Sequence, residues 1–594
     1  MSEHVVDGMG SIPVEGGTAF RVWAPHADSV AVIGDFNDWS TDADPLEHEG
    51  NGYWYTFVEG AHHGQEYKYR LTNGDQELYR IDPYALEVTN SVGNGRIYDH
   101  GTFDWGDDGS YQVPSHNRLV IYEMHVGSFF AEGDGVGTLE TVAQQLDRLQ
   151  RLGVNAIQVM PVTEFAGDCS WGYNPAHIFA VESAYGGPDA LKTLVREAHR
   201  HGISVIQDVV YNHFGPSDLD LWQFDGWSEN GKGGIYFYND DRSSTPWGDT
   251  RPDYGREEVR RFIRDNALMW LREYRVDGLR MDMTPYMRSV DGFGWDIPDG
   301  WSLQRWINES VQEEFPGRIT IAEDLHGHDT VVGLEDEGAG FSAQWDAEFV
   351  HPIRAALVAM GDEERHVPDI VAAISHSYDN DAFRRVIYTE SHDEVANGSA
   401  RVPHEIDPGN ASGWAPQKRS TLGAAIVLTA PGIPMLFQGQ EFLEGGWFRD
   451  DVPLDWNRGE DFQGIALMYR DLIDLRLNRS QVTMGLQGHG LNVFHANNDM
   501  NVIAFQRWAD HGPGDDVVVV LNLAHEERNG YRIGMPAAGL WKLRFNSDAR
   551  AYSALFGEHE AFDVDAAEGE YDGLGHYADV SIAPYSVLVY SQDA

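Results

Sequence analysis

The 594-residue sequence is poor in cysteine, in lysine and in long apolar runs. Its one cysteine, Cys169, excludes an internal disulfide and a cysteine-based zinc site. The most apolar stretch, residues 422–437, is interrupted by two prolines and a glycine and is too short to cross a bilayer. The first ten residues have neither a basic start nor an apolar stretch, so no signal peptide is expected. We therefore expect a soluble, cytoplasmic protein.

Positive charge is also scarce. The 42 basic residues stand against 95 acidic ones, which gives a net charge of −53, and only five of the basic residues are lysines. Such a surface repels phosphates, so neither a nucleic acid nor an anionic membrane is an expected partner. An excess of carboxylates with few lysines favours a halophilic protein, because salt screens the self-repulsion. The alternative is a moderately acidic protein whose coding preference replaces lysine by arginine.

What is present is enough apolar material for several cores. Hydrophobic residues make up 42% of the chain and aromatic residues 12%. Residues 1–113 contain short apolar strand patterns between glycine and Asn/Asp turns, which predicts an N-terminal β-sandwich. The patterns lie at 20–25, 30–33, 53–57 and 67–71. The aromatic residues of this segment can stack on sugar rings or fill the core; they include Trp23, Phe36, Trp39 and Trp54.

Residues 114–488 alternate short apolar strand patterns with amphipathic helical patterns such as 139–152 and 190–201. Eight strand candidates in this order predict a (β/α)8 TIM barrel. They span 119–126, 156–162, 204–210, 276–283, 319–324, 341–346, 384–391 and 433–439. The long loop 214–253 after the third strand is predicted to wall the active site. Residues 489–594 lose the alternation, and strand patterns at 516–523 and 580–590 predict a C-terminal antiparallel β-sandwich.

Carboxylates fall at the carboxyl ends of four predicted barrel strands, where barrel enzymes place catalytic groups. Asp208 belongs to the third strand, Asp282 to the fourth, Glu323 to the fifth and Asp393 to the seventh. Charged side chains are rarely buried unless they are paired. Ion pairs that close the top of the barrel are therefore the alternative to a catalytic site.

The spacing of these residues indicates a particular chemistry. Arg280 and Asp282 are two residues apart on one strand, so both point to the same face. A guanidinium beside a carboxylate keeps that acid ionised, as a nucleophile requires. Glu323 follows an apolar strand, and apolar surroundings raise the pKa of a carboxyl, which suits a proton donor. A nucleophile and a proton donor on either side of one bond are the requirements of retaining glycoside chemistry.

Residues 208–213, 278–282, 323 and 390–393 resemble, in order, the four signature regions of the α-amylase superfamily, glycoside hydrolase family 13. Residues 20–25 and 34–39 resemble the starch- and glycogen-binding module that precedes the barrel in branching and debranching members. The resemblance covers nearly the whole chain. It implies an enzyme of carbohydrate metabolism that acts on α-1,4-glucans such as amylose, glycogen and maltooligosaccharides.

The resemblance also implies a role for each matching residue. Asp282 is implied as the nucleophile that forms a covalent glucosyl-enzyme, Glu323 as the general acid/base, and Asp393 as the third carboxylate, which binds sugar hydroxyls. The implied substrate-binding residues are Tyr173 as a stacking platform, His213 and His392 as hydrogen-bonding partners of the sugar, Arg280 as the residue that orients Asp282, and Asp208 as the brace of Arg280.

Some neighbouring residues stay open as alternatives. Three further carboxylates lie one to three residues from the chosen ones: Asp324, Glu390 and Glu394. His125, at the end of the first strand, is expected to hydrogen bond within the site rather than to catalyse. Three tryptophans of the long loop either form sugar subsites or pin the loop: Trp222, Trp227 and Trp247.

Within the superfamily, residues 122–129, 322–324, 390–393 and 439–442 resemble the 1,4-α-glucan branching enzymes, which implies glycogen biosynthesis. Residues 214–216 and 395–398 are instead similar to the maltooligosyltrehalose trehalohydrolases, so this activity or another α-1,4-glucan hydrolase is the alternative. A glucan-binding scaffold without catalysis predicts the loss of at least one of the three carboxylates, and all three are present.

Asn212 matches a position that supplies a calcium ligand in calcium-dependent amylases. The partner oxygens that such a site needs cannot be identified in the long loop. The resemblance to branching enzymes implies no metal and no cofactor. The oligomeric state is not predicted by the sequence.

Overall fold

The computed structural model describes residues 6–133, 135–333 and 337–594. Its strands form a pair of N-terminal sheets, a closed parallel barrel and a C-terminal antiparallel sheet. The predicted fold class, a (β/α)8 barrel flanked by two β-domains, is confirmed. The domain limits at 113/114 and 488/489 stay predictions.

The N-terminal strands form two facing sheets. One has the order β1-β2-β5-β4, and the other has the order β3-β6-β9-β8 with β7 paired to β6. Their shared core contains Phe20, Val22, Val32 and Tyr69, all nearly or fully buried. The strands are β1 (Gly10–Val14), β2 (Gly17–Trp23), β3 (Ser29–Gly34), β4 (Glu47–Gly50), β5 (Tyr53–Glu59), β6 (Glu66–Asn73), β7 (Gln76–Arg80), β8 (Glu87–Val88) and β9 (Gly95–Arg96).

Eight parallel strands close into the barrel, and each lies within one of the eight predicted strand ranges. They are β10 (Ile121–Met124), β11 (Ala156–Val159), β14 (Ser204–Val209), β15 (Gly278–Met281), β16 (Ile319–Ala322), β17 (Ala343–Trp345), β18 (Arg385–Ile387) and β19 (Ile433–Phe437). A separate hairpin, β12 (Thr163–Phe165) with β13 (Pro175–Val181), follows β11. The apolar runs in these strands are explained by burial on both faces, as is usual for parallel sheets.

Helices surround the barrel. The predicted helix 139–152 is divided at residues 144–145 into α2 and α3, and the predicted helix 190–201 is α4, which begins three residues earlier. The helices are α1 (Val126–Phe129), α2 (Leu139–Ala143), α3 (Leu146–Leu152), α4 (Gly187–Arg200), α5 (Glu257–Arg272), α6 (Pro285–Arg288), α7 (Pro298–Glu314), α8 (Ala347–Val358), α9 (Val367–Ser375), α10 (Val402–Ile406), α11 (Trp414–Thr429), α12 (Arg458–Asp461) and α13 (Gln463–Arg476). In the described part of the chain, none of the helices has the length and apolar character needed to span a bilayer.

The long loop 214–253 is fastened to the N-terminal domain. The main-chain nitrogen and Nδ1 of His26 both lie 3.0 Å from Oδ2 of the buried Asp225. Arg80 donates to the main-chain carbonyls of residues 223 and 224 at 3.1 Å. The N-terminal domain therefore holds in place a loop that borders the barrel mouth.

The C-terminal strands have the continuous order β20-β21-β22-β27-β24-β25-β26-β23. The sheet folds over a core that includes Val518, Ile533, Trp541 and Val580. A buried ion pair, Lys418 with Asp548 at 2.8 Å, joins this domain to α11 of the barrel. The strands are β20 (Gly490–Asn497), β21 (Val502–Trp508), β22 (Val517–Asn522), β23 (Arg528–Met535), β24 (Gly539–Asn546), β25 (Val564–Tyr571), β26 (Leu574–Ile582) and β27 (Ser586–Ser591).

Candidate active site

Arg280 lies fully buried at the barrel mouth and contacts three carboxylates. The strand register places it beside Asp208 on β14, and its Nη1 donates to both Asp208 oxygens at 2.9 and 2.8 Å. The same nitrogen donates to Oδ1 of Asp282 at 3.1 Å, and Nη2 lies 2.7 Å from Oε2 of Glu323. Although burial lowers the pKa of Arg280, Asp208 and Glu323 raise it well above its usual value. The guanidinium is thus a fixed cation between the carboxylates.

Asp282 and Glu323 leave two adjacent strands at the same height, because Met281 and Ala322 are register partners at the strand ends. Asp282 is almost fully buried. Asn212 donates to its Oδ2 at 2.7 Å and to its main-chain carbonyl at 2.9 Å. Hydrogen bonds from Asn212 and from the shared guanidinium fix both oxygens of this carboxylate.

Glu323 is a buried acid with a raised pKa. Burial raises the pKa of Glu323 to about 8, Asp282 and Asp393 act in the same direction, and Arg280 opposes them. Met283 has a φ of +35°, and its main-chain nitrogen donates to Oε2 of Glu323 at 2.9 Å. The raised pKa and the fixed position of this carboxyl both suit a general acid.

Asp393 is the most exposed of the predicted carboxylates, with 44% of its side chain accessible. It lies six residues beyond the end of β18, and its Oδ2 is 3.4 Å from Nε2 of His392. On its other side, His392 is held by Glu123, whose carboxylate accepts from Nδ1 at 2.7 Å and from the main-chain nitrogen at 3.0 Å. The first barrel strand, β10, thus fixes the position of His392 through Glu123, although His392 follows β18 and β19 lies between these two strands.

Tyr173 forms one wall of the site. Its hydroxyl donates to Oδ2 of Asp208 at 2.8 Å, and its ring stacks on His392 with a centroid distance of 5.0 Å and an interplanar angle of 22°. Gly172 precedes it with a φ of +93°, and a Cβ at this position would lie 2.4 Å from the Pro161 carbonyl oxygen. Only glycine fits this turn, which directs Tyr173 toward the carboxylates.

His213 and Trp247 form a second aromatic wall. Nδ1 of His213 lies 2.5 Å from Oδ1 of Asn212, the residue that also holds Asp282. The imidazole stacks on Trp247 with a centroid distance of 4.6 Å and an interplanar angle of 17°. Burial lowers the pKa of His213, with Asp282 opposing the shift. All eight residues predicted for the site therefore converge at one end of the barrel.

The three rival carboxylates are engaged elsewhere. Each has its own cationic partner: Arg288 lies 3.0 Å from Asp324, Arg401 lies 3.3 Å from Glu390, and His351 and Arg354 lie 3.2 and 3.4 Å from Glu394. Within the described ranges, none of the three contacts Arg280. The geometry thus favours the carboxylates chosen from the strand ends.

Sequence reasoning missed two buried residues of the site. Glu123 has no exposed surface, and Trp345 on β17 packs its ring 4.5 Å from the guanidinium of Arg280. The sequence did contain a sign of Glu123, because a glutamate within an otherwise apolar strand is unusual. No local pattern distinguishes Trp345 from a core tryptophan.

His125 behaves as expected, as a hydrogen-bonding residue below the site. Its Nε2 lies 2.8 Å from the Ser170 carbonyl oxygen, and its Nδ1 lies 2.9 Å from the Ser128 hydroxyl. Of the loop tryptophans, Trp227 stacks on His26 of the N-terminal domain at 4.5 Å, and Trp222 packs on Phe237. These two pin the loop, whereas Trp247 borders the site. Among the N-terminal aromatics, Trp23 and Trp54 are buried in the core, whereas Trp39 is partly exposed.

A metal site finds no support in the donor set. Asn212, the position that suggested calcium, uses its amide nitrogen on Asp282 and its amide oxygen on His213. Across residues 6–133, 135–333 and 337–594, no cluster of three or more His, Cys, Asp or Glu side chains has an arrangement suited to a metal ion. Asn212 is therefore engaged within the site, and the absence of a metal stays a prediction.

Comparison with known families agrees with this architecture. Residues 8–85 match carbohydrate-binding module 48 (isoamylase N-terminal domain), residues 127–247 match the α-amylase catalytic domain, and residues 494–593 match the α-amylase C-terminal all-β domain. The module, the barrel with its carboxylates around Arg280, and the all-β domain define a barrel enzyme of the α-amylase class.

Curated relatives narrow this class. The chain is 32% identical over 580 residues to the 1,4-alpha-glucan branching enzyme GlgB of Corynebacterium jeikeium, an alignment that covers 92% of this chain and 78% of the relative. It is 31% identical to the 1,4-alpha-glucan branching enzyme GlgB of Salinibacter ruber, covering 99% of this chain and 96% of the relative. The chain belongs to the 1,4-α-glucan branching enzyme family of the α-amylase superfamily.

Solved structures share the fold at lower identity. A putative α-amylase from Salmonella typhimurium has a TM-score of 0.75 at 22% identity, covering 99% of this chain and all of that one. A pullulanase from Anoxybacillus sp. LM18-11, complexed with maltotetraose, has a TM-score of 0.76 at 22% identity, covering 99% of this chain and 88% of that one. These likenesses concern the fold alone.

Proposed function

We propose that the chain cleaves α-1,4 bonds of glucans and transfers the released chain to a 6-hydroxyl, as a retaining branching enzyme. The observation that carries this proposal is the contact of Asp282 and Glu323 with neighbouring nitrogens of one guanidinium, at 3.1 and 2.7 Å. Retaining enzymes hold their two carboxyls only about 5 Å apart. The family relationship supports transfer rather than hydrolysis as the fate of the intermediate.

In the first step, a carboxylate oxygen of Asp282 forms a bond to C1 of the donor sugar. The bond from C1 to the glycosidic oxygen breaks, and that oxygen takes the proton of Glu323. The raised pKa of Glu323, about 8, supports this assignment because the proton is present at neutral pH. The hydrogen bonds of Asp282 to Arg280 and Asn212 hold its carboxylate in place and support its role as the nucleophile.

In the second step, the 6-hydroxyl of an acceptor chain gives its proton to the Glu323 carboxylate. Its oxygen forms the new bond to C1, and the bond from C1 to Asp282 breaks. Hydrolysis differs only in that water takes the place of the 6-hydroxyl. The alternative activity, that of a trehalohydrolase or another α-glucan hydrolase, is not favoured by the curated relatives.

The remaining site residues are proposed to bind the donor sugar. Tyr173 offers its ring as a platform, supported by its orientation against His392. His213, His392 and Asp393 are proposed to bind sugar hydroxyls. Arg280 is proposed to orient Asp282, and Asp208 is proposed to brace Arg280, which the contacts of Arg280 with each of them support.

Incubation of the purified protein with amylose tests this function. We expect iodine absorbance to fall with few new reducing ends, and proton NMR to detect new α-1,6 signals. A fall accompanied by a matching rise in reducing ends means hydrolysis and contradicts the proposal. If neither changes, trehalose-capped maltooligosaccharides test the alternative through released trehalose. Measurement in low and high salt prevents a salt requirement from being mistaken for inactivity.

Two broader properties are proposed with the function. The net charge of −53 and the five lysines support a halophilic protein. The single cysteine supports a cytoplasmic location, because disulfides are rare in reducing compartments. Fractionation of the source cells, followed with the branching assay, tests the location, and activity outside the cytoplasmic fraction contradicts it.

A further inference from the structure

Large aromatic side chains are exposed on the loops around the barrel mouth. Phe293 is 74% exposed, Trp295 is 46% exposed and Trp247 is 39% exposed. Exposing such side chains is unfavourable unless a ligand covers them. With their ring neighbours they form what we call the aromatic track: Trp247, Tyr286, Phe293, Trp295, His326 and His328.

Ring contacts join much of the track and connect it to the active site. Trp247 stacks on His213 and meets the edge of Tyr286 at 5.2 Å. Farther out, Phe293 lies 5.2 Å from His326, a residue of the loop that follows β16. His326 lies 6.2 Å from His328, and His328 lies 5.5 Å from Trp295. These rings belong to the segments that follow β14, β15 and β16, with Tyr286 on the short helix α6.

The loop that carries the two most exposed rings is internally braced. The Ser289 hydroxyl is 2.8 Å from Oδ1 of Asp291 and 2.9 Å from Oδ1 of Asp296, and it accepts from the Gly294 nitrogen at 2.9 Å. Asp291 also accepts from the main-chain nitrogen of Phe293 at 2.9 Å. This network therefore braces the loop that carries the exposed ring of Phe293.

A buried ion pair connects Trp295 with the residue that follows the proposed acid in sequence. Arg288 lies 4.2 Å from the centre of the Trp295 ring and donates to the Gly294 carbonyl at 2.9 Å. The same guanidinium pairs with Asp324 at 3.0 Å, and Asp324 directly follows Glu323 in sequence. Arg288 therefore links Trp295 of the track to Asp324, the residue that follows the proposed general acid.

We infer that the aromatic track binds the α-1,4-glucan on the leaving-group and acceptor side of the cleaved bond. This inference rests on the proposed function, because it takes Glu323 as the acid. The acid must touch the glycosidic oxygen, so the sugars beyond that oxygen lie on the Glu323 side. The segments after β15 and β16, which begin with Asp282 and Glu323, carry five of the six track residues.

The chemistry of the track fits a neutral sugar chain. Glucose rings have apolar C–H faces that cover aromatic rings, while their hydroxyls stay free to hydrogen bond. A chain that is long enough to cover several rings gains from each one. The track therefore predicts a preference for long acceptor chains over short ones.

Replacement of the exposed rings by alanine tests the inference. The variants are Phe293→Ala, Trp295→Ala and the double variant, with Phe562→Ala as control, since Phe562 is 66% exposed on the C-terminal domain. α-Maltotriosyl fluoride serves as donor, because its leaving group is fluoride and occupies no sugar subsite. The measured quantity is the rate of transfer to maltoheptaose divided by the rate of fluoride release.

We expect the double variant to lower this ratio at least about tenfold through a higher KM for maltoheptaose, with a smaller effect for maltose. The control should match the wild type. An unchanged ratio overturns the inference. If transfer and fluoride release fall together, so that the ratio stays the same, the track lies on the donor side. An unchanged ratio with a changed molecular mass in solution identifies a protein contact surface instead. If the wild-type products lack α-1,6 bonds, the branching proposal fails, while the ratio still tests the track through α-1,4 transfer.

Discussion

Glu123 holds His392 with both oxygens of one carboxylate. One oxygen accepts from Nδ1 at 2.7 Å and the other from the main-chain nitrogen at 3.0 Å, and both residues are fully or almost fully buried. Burial lowers the pKa of His392, but Asp393 and Glu123 outweigh it and raise the pKa to about 9. His392 is thus a buried cation at neutral pH, facing the proposed donor sugar.

Glu123→Gln keeps the shape of this contact and removes its charge. A histidine whose folded pKa is raised contributes stability that is full below its unfolded pKa of about 6.5 and is lost as pH rises through about 9. We therefore expect the wild-type Tm to fall across this window, and the fall to be smaller in the variant. Melting curves at pH 6, 7.5 and 9 measure this. Glu15→Gln, an exposed change, is the control, and parallel curves for wild type and Glu123→Gln contradict the prediction.

Glu323→Gln tests the proton donor. Because the carboxyl must be protonated to donate, kcat/KM of the wild type should fall as pH rises above about 8. The variant should lose about 10²–10⁴-fold in activity on amylose and should lack this alkaline limb. Fluoride needs no proton to leave, so release from α-maltotriosyl fluoride should be affected less. Persistence of the alkaline limb in the variant would mean that another group donates the proton.

Asp282→Asn tests the nucleophile. The amide cannot form the glycosyl-enzyme, so turnover should fall at least about 10³-fold while binding to glycogen, followed by affinity electrophoresis, is retained. Glu394→Gln is the matched control, because Glu394 pairs with His351 and Arg354 away from Arg280. Retained turnover in Asp282→Asn, or a comparable loss in Glu394→Gln, would refute the assignment of the nucleophile.

Local sequence patterns were sufficient for the barrel strands and for the carboxylates at their ends, whereas Tyr173, His213 and His392 were predicted only from the family resemblance. The order of the strand patterns gives the place of each carboxylate around the barrel. A carboxylate at the carboxyl end of its strand lies at the mouth of the barrel. Side chains alternate between the two faces of a strand, and this alternation over β15 and the next residue was enough to place Arg280 and Asp282 on one face. The chosen strand ends and the observed contacts of Arg280 therefore agree.

Contacts between distant segments were not predictable in this way. Glu123 meets His392 across 269 residues of sequence, and nothing local to either one encodes the partner. Glu323 and Asp324 are adjacent in sequence, yet Glu323 contacts Arg280 whereas Asp324 pairs with Arg288. The turn after β16 makes this difference. The aromatic track also depends on how three loops lie together in space.

Treatment with a chelator tests the expectation that no metal is needed. Asn212, which matches a calcium-ligand position of calcium-dependent amylases, has both amide atoms engaged by Asp282 and His213. We expect EDTA followed by dialysis to change the Tm by less than about 1 °C, because no bound ion stabilises the folded state. Melting in EDTA, in EDTA with excess calcium and in EDTA with excess magnesium measures this. A lower Tm that calcium alone restores would contradict the expectation.

Salt should stabilise the protein through screening. With a net charge of −53, the folded chain repels itself, and the Debye length falls from about 10 Å at 0.1 M salt to about 3 Å at 1 M. We expect the Tm to rise by several degrees between 0.1 and 2 M NaCl, because screening weakens the self-repulsion of the folded state. Sucrose is the control, because it favours burial without screening charge. If the Tm stays flat in NaCl, or if sucrose has the same effect, the acidic composition reflects coding preference rather than adaptation to salt.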